Sequence, residues 1–143
     1  MKYSKWEFKD VLDICKLNEK CFESPWTFEM LSSTFLNDNF LGYVAKSEDK
    51  IVGYIALISC LDEAELNIIA VDKDFRNKGI ATKLLNLSHS ELVKKGVKKV
   101  FLEVRKGNKN AQSLYEKLGY ELISTRPLYY EGKEDAYIMC KIL

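Results

Sequence analysis

Apolar positions change rhythm within residues 66–96, and the rest of the chain can be placed around that change. Leu66-Asn67-Ile68-Ile69-Ala70-Val71 is short, apolar and rich in β-branched residues, which predicts a buried strand. From Ala81 onward, Leu84, Leu85, the small Ser88, Leu92 and Val93 recur at helical spacing, and Gly96 supplies a stop. Upstream, Val11, Ile14 and Cys15 predict a helix over about 10–18. Phe28, Leu31 and Phe35 predict a second, with Ser24 as its cap and Pro25 at its first position. Residues 40–46 and 50–58 flank Ser47-Glu48-Asp49 as a β-hairpin. Residues 97–105 read as a strand with Val100, Leu102 and Val104 on one face and Phe101, Glu103 and Arg105 on the other. Ala111, Leu114, Tyr115 and Leu118 predict a helix over 110–118, capped by Asn108 or Asn110 and followed by Gly119. Residues 120–126 and 135–142 read as closing strands around a loop over 127–134. This order predicts one α/β (α+β) domain over 1–143 with a mixed central sheet.

Composition narrows the class. The 143 residues are 47% hydrophobic, enough for one core, with no repeat or linker dividing them. No apolar run approaches the ~20 residues that span a bilayer, and the first residues have no signal-peptide core, so a cytoplasmic protein with no membrane partner is expected. Cys15, Cys21, Cys60 and Cys140 form no Cys-x-x-Cys pair and have one histidine, His89, for company; reduced thiols and no metal site are expected. The formal net charge of +1 is unevenly spread: residues 1–71 carry net −5, residues 72–109 net +7 and residues 110–143 net −1. The basic stretch lacks interleaved aromatics and the whole chain is not basic, so a small polyanion fits it better than a nucleic acid.

The basic stretch contains the strand-to-helix join, Arg76-x-x-Gly79-x-Ala81. A helix N-terminus presents unpaired N–H groups and a partial positive charge, so a loop of small residues feeding one holds phosphate oxygens by main chain. Arg76, Lys78 and Lys83 add charge, and the join reads as a pyrophosphate site. Two further residues carry possible chemistry. Glu103 is a carboxylate in an otherwise apolar strand, fit either for a general base or for an ion pair with Arg105 or a lysine. Tyr115 is either a proton donor, since a phenol with pKa of about 10 stays protonated at neutral pH, or a packing residue beside Leu114 and Leu118.

These motifs occur in a fixed order: Arg76-x-x-Gly79-x-Ala81, Leu102-Glu103-Val104-Arg105, Asn108-x-x-Ala111-x-x-Leu114-Tyr115-x-x-Leu118-Gly119-Tyr120, Tyr129-Tyr130 and Glu134-Asp135-Ala136-x-Ile138-Met139. Together they resemble the Gcn5-related N-acetyltransferases (GNAT), and within them the ribosomal-protein-alanine N-acetyltransferases of the RimI type, over about residues 10–141. The resemblance implies a mostly antiparallel sheet splayed between two central parallel strands. It implies acetyl-CoA as acetyl donor and direct transfer in a ternary complex. It further implies Glu103 as general base, Tyr115 as general acid, and main chain at Ile69, Ala70 and Val71 along the pantetheine arm. Arg76, Asn77, Lys78, Gly79, Ile80, Ala81 and Thr82 would hold the pyrophosphate, and Asn108 would touch the arm near the thioester. Trp26 and Tyr130 are the candidate acceptor contacts, with ordinary core packing as their alternative. The Asn67-Ile68 stretch departs from the family order, and the loop after Tyr130 is short.

The expected acceptor is a protein N-terminus, such as that of a ribosomal protein. An α-amine, with pKa of about 7.7–8, is far more often neutral at cytoplasmic pH than a lysine at about 10.4. Lysine or small-amine acetylation, and an acyl-CoA-binding module without turnover, are the alternatives.

Overall fold

The computed structural model describes residues 1–130 and 132–143. Along the chain it has β1 (Lys2–Lys5), α1 (Val11–Cys21), α2 (Phe28–Phe35), β2 (Phe40–Ser47), β3 (Lys50–Cys60), β4 (Glu63–Val71), α3 (Ile80–Lys94), β5 (Lys99–Arg105), α4 (Lys109–Lys117), β6 (Glu121–Tyr130) and β7 (Glu134–Ile142). The strands form one seven-stranded sheet in the order β1-β2-β3-β4-β5-β7-β6. All neighbours are antiparallel except β4 and β5. This is the mixed sheet that the element order predicts, mostly antiparallel as the resemblance implies.

The parallel pair is short. β4 and β5 are in register only at Glu63 with Lys99, Ala64 with Val100 and Glu65 with Phe101. Beyond those rungs both strands continue without pairing to each other, which opens the expected split in the centre of the sheet.

One residue in β4 decides which core its side chains enter. Leu66 stands opposite Leu57 and Ile68 opposite Ala56, so Asn67 is an extra, bulged residue. Alternation is thereby reset. Ala64 and Leu66 join the core under α3 and α4, with Val52, Ile55, Leu84, Leu85 and Val100. Ile68 and Ala70 join the core under α1 and α2, with Val11, Ile14, Leu31 and Tyr54. Leu84, Leu85 and Leu92 of α3 are fully buried, each contributing roughly 1.5–3 kcal/mol of apolar burial.

Several boundaries differ from the sequence reading. Thr27, not Ser24, caps α2: its Oγ1 accepts from Met30 N at 3.1 Å and Phe28 is the first helical residue. Ser24 and Pro25 lie before the helix because Trp26 is used to pack on the α1/α2 core instead of entering a first turn. β1 was not foreseen; it is a four-residue polar edge strand held by backbone pairing, with Tyr3 opposite Ala45. β4 begins at Glu63, not Leu66, and β5 at Lys99, not Val97. The expected loop over 127–134 is largely strand, since β6 runs to Tyr130. Pro127 is tolerated there because β6 is an edge and its register breaks between Arg126 and Tyr130. Glu131, in the middle of that expected loop, lies outside the described residues.

Candidate active site

The N-terminus of α3 is built as an anion cradle. Gly79 is its N-cap with φ 78°, and Asn77 also has positive φ, 61°. The first main-chain bond of the helix runs from Lys83 N to Gly79 O at 3.0 Å, so the amides of Ile80, Ala81 and Thr82 have no partner within the helix. No acidic residue occupies the first turn. A Cβ placed on Gly79 would meet nothing within 4 Å, which leaves room for a ligand against the backbone. Lys78 lies over the Phe75 ring, its Nζ 5.2 Å from the centroid. Arg76 is turned back toward the sheet: its Nε donates to Val71 O at 3.1 Å, and Cys21 Sγ donates to the same oxygen at 3.8 Å.

The split places main chain beside this cradle. Asp72 N donates to Val52 O at 2.8 Å, fixing which residues of β4 bond to β3. By the two-residue alternation of an antiparallel ladder, Ala70 faces β3 as well, while the N–H and C=O groups of Ile69 and Val71 point into the split. Two of the three expected residues therefore offer main chain to an extended ligand. Ala70 does not: its main chain is used by β3 and its side chain by the α1/α2 core.

Glu103 and Tyr115 come from opposite faces of the sheet. Val100, Leu102 and Val104 of β5 pack toward α3 and α4, so Phe101, Glu103 and Arg105 face the other way. Tyr115, in α4, is buried in the α3/α4 core and meets the Tyr120 ring edge-on at 5.6 Å. Its phenol is pushed up to about 12, by burial first and by the nearby Tyr130 phenol second. Tyr130 is raised too, by burial and then by the Glu103 carboxylate. Tyr130 thus lies within electrostatic range of both groups.

The expected alternative for Glu103, an ion pair with Arg105 or a lysine, is met in kind but with another partner, Arg126. Glu103 Oε1 accepts from Arg126 Nη1 at 3.1 Å, and Arg105 instead pairs with Glu134 at 3.3 Å. Each arginine also covers a ring: Arg126 lies 3.9 Å from the centroid of Tyr129 and Arg105 4.2 Å from that of Tyr130. Arg126 and Tyr129 carried no sign of this in the sequence, because the pairing depends on strand register. Glu103 also lines a cleft of about 380 Å³ with Glu63, Glu65, Phe101, Ile58 and Ile138, at the point where β4 and β5 begin to part. Its lining thus carries three carboxylates, of which Glu103 is paired with Arg126.

The remaining candidates divide. Asn108 caps α4, its Oδ1 accepting from Ala111 N at 3.2 Å; its amide nitrogen is not used in that cap. Trp26 is half-buried, packed against the α1/α2 core and partly open to solvent. His89 is buried in α3, its Nε2 2.7 Å from the Tyr120 hydroxyl. Burial first and Lys141 second lower it to about 4, so it is a neutral imidazole near pH 7.

Residues 11–120 match the model of the acetyltransferase (GNAT) family. The chain belongs to the GNAT acetyltransferases. Like other members it is an N-acetyltransferase, and within the family it is similar to the ribosomal-protein-alanine enzymes. It is 33% identical to the ribosomal protein bS18-alanine N-acetyltransferase of Escherichia coli strain K12 over 139 residues, 95% of this chain and 93% of the relative. It is 28% identical to a putative enzyme of the same name from Bacillus subtilis over 133 residues, covering 92% and 88% of the two chains. The crystal structure of the E. coli ribosomal-protein-S18-alanine N-acetyltransferase superposes with a TM-score of 0.93 at 32% identity, covering 99% of this chain and 92% of that one. The GNAT fold also accounts for the likeness to Ard1 from Thermoplasma volcanium, with TM-score 0.89 at 24% identity and coverage of 99% and 97%. No helix among the described residues is long and apolar enough to cross a membrane.

Proposed function

We propose that this GNAT enzyme acetylates the α-amine of a protein N-terminus, with acetyl-CoA as donor and a ribosomal protein as acceptor. The observation that carries the reading is the split sheet: an anion cradle at one end, Glu103 over an acidic cleft on one face, and Tyr115 in the core of the other. Acetyl-CoA would supply the activated acetyl group as a thioester, its pyrophosphate on the amides of Gly79 to Thr82 and its pantetheine arm along Ile69 and Val71. In that frame Arg76, Asn77 and Lys78 shape and charge the phosphate loop, and the amide nitrogen of Asn108 approaches the arm.

Glu103 takes a proton from the acceptor ammonium: an N–H bond breaks, an O–H bond forms, and the electron pair stays on nitrogen for attack on the carbonyl carbon. A C–N bond then forms and the C–S bond breaks; Tyr115, whose burial keeps its phenol protonated, gives that proton to the departing thiolate sulfur, and the second proton shed by the new amide nitrogen restores the phenol. Tyr130, whose phenol is raised by the Glu103 carboxylate, contacts the acceptor, and half-buried Trp26 is the second candidate contact. One carboxylate suffices for an α-amine, a sizeable fraction of which is already neutral at pH 7.5. A lysine amine is neutral only about one time in a thousand and would need a stronger base, and His89 is committed to Tyr120. The likeness to the bS18-alanine enzymes supports the same acceptor class.

The test is incubation with acetyl-CoA and peptides that begin with Ala or Ser and contain lysines, each with an α-blocked control. Mass spectrometry should find acetyl on the α-amine of the free peptides and none on the blocked ones. Acetyl placed mainly on lysines would overturn the acceptor assignment.

A further inference from the structure

We propose that Arg126 is a positioning residue for the base: it holds the Glu103 carboxylate at the mouth of the acidic cleft, in the orientation that receives the acceptor amine. The proposal rests on the reading of Glu103 as base given above.

Register puts Arg126 where it can do this. Glu103 lies opposite Ile138 on β7, and Ile138 opposite Ser124 on β6. Directly opposed residues share a face, and Arg126, two residues beyond Ser124, shares it as well. Its long side chain therefore runs back diagonally over β7 to reach Glu103 at 3.1 Å. Arg105 and Arg126 stand level on either side of Ala136, which is fully buried between them. Arg105 is nearer to Glu103 in sequence, but Glu134 holds it, and the second oxygen of Glu134 is itself fixed by Gly107 N at 2.8 Å. Arg126 is left as the cation for Glu103.

Two details give the pair a direction. The Arg126 side chain is 51% exposed and that of Glu103 25%, so the guanidinium comes in from the solvent side while the carboxylate stays in the cleft. The bond uses Oε1 alone, so the contact with Arg126 leaves Oε2 for an ammonium. Tyr129 stacks on the guanidinium and leans edge-on against Tyr130 at 5.1 Å, which braces the arginine against a second ring. The charged groups around Glu103 are Glu63 and Glu65 from β4, Arg105 on its own strand and Arg126 from β6, with the Tyr130 phenol beside them. Of these, Arg126 alone bonds to it.

A pair this exposed contributes little to stability, so its removal should be read in the rate and not in the fold. Misplacing a reacting group by about 1 Å can cost on the order of a hundredfold. Arg126→Gln should therefore lower kcat for an N-terminal peptide roughly 10- to 100-fold, leave the KM for acetyl-CoA within about twofold, and leave Tm nearly unchanged. Arg126→Lys should recover part of the loss, and Tyr129→Leu should show a smaller loss of the same kind.

The deciding measurement is a double-mutant cycle with Glu103→Gln. If Arg126 acts through Glu103, adding Arg126→Gln to Glu103→Gln changes kcat no further. Equal fold-losses in both backgrounds, or wild-type kcat in Arg126→Gln alone, would overturn the proposal. A fully active Glu103→Gln would instead remove the base reading itself, whereas a slow Glu103→Gln beside a wild-type Arg126→Gln would remove Arg126 alone.

Discussion

Gly79 and Gly96 bracket α3, with φ of 78° and 83°, and a Cβ at either would meet nothing within 4 Å. Replacing each by alanine should cost the fold about the same amount. The left-handed conformation costs alanine roughly 1–2 kcal/mol, partly offset by the stiffer unfolded chain, leaving about 1 kcal/mol net. For a chain of this length that is a fall in Tm of roughly 4 °C. Ligand binding should separate the two sites. At Gly79 the new methyl enters the open space over the helix N-terminus, where a phosphate oxygen would rest on the amides of Ile80 to Thr82. Displacing it would lose two charge-assisted hydrogen bonds at about 1.5–3 kcal/mol each, a rise in Kd of roughly 100-fold or more. At Gly96, beyond the other end of α3, the Kd should stay within about twofold. Calorimetric titration of both variants with acetyl-CoA, alongside thermal melts, makes the comparison. A folded Gly79→Ala with wild-type affinity would refute the anion cradle.

Glu103→Gln should lower kcat at neutral pH roughly 10²–10⁴-fold while leaving the calorimetric affinity for acetyl-CoA unchanged. Tyr115→Phe removes one oxygen from a packed ring, so single-turnover acetylation should slow while Tm moves little; a large fall in Tm with an unchanged rate would make Tyr115 structural. The Tyr115 phenol ionises at about 10 in the unfolded chain and at about 12 when folded. Its contribution to stability is therefore complete below pH 10 and lost as pH rises from 10 to 12, and Tyr115→Phe should flatten that part of the urea-midpoint profile. The opposite limb belongs to His89, at about 6.5 unfolded and about 4 folded. The unfolded chain takes up a proton first, so stability should fall by about 3 kcal/mol between pH 7 and pH 4, and urea midpoints of His89→Gln should show a shallower acid limb.

The cradle was legible in the sequence because its parts are local: Arg76, Gly79 and the periodicity from Ala81 lie within one turn of each other. Glu103 stood out for a similar reason, as a carboxylate on the face opposite Val100, Leu102 and Val104. What escaped was set by partners distant in sequence. The partner of Glu103 follows from the register of two strand pairs across β7, and nothing near Arg126 announces it. The bulge at Asn67 was visible only as an odd residue order, because an extra residue has meaning only against the partner strand it slips past. β1 left no pattern because a four-residue edge strand held by backbone pairing sets only Tyr3 against the core. Ser24-Pro25 was a credible helix start overruled by packing, since Trp26 gains more against the α1/α2 core than in a first turn.

A sheet parted in its middle has a strand edge inside the molecule, and edges are adhesive. Here β4 and β5 are joined by three rungs, and past them the inward row of β4 at Ile69 and Val71 is open, with Arg76 and Cys21 reaching only the Val71 carbonyl. An extended ligand lying in that gap would act as a removable eighth strand, adding to the sheet by the same ladder that holds its permanent ones. The enzyme would then be a more tightly knit object loaded than empty: ligand at 100 times its Kd contributes about 2.7 kcal/mol to stability by mass action. Amide exchange at Ile69 and Val71 should slow on loading, while the fully buried β3 position Tyr54 changes less. Substrate supply would in this way regulate how long each copy of the protein survives unfolding and proteolysis, apart from any effect on its rate.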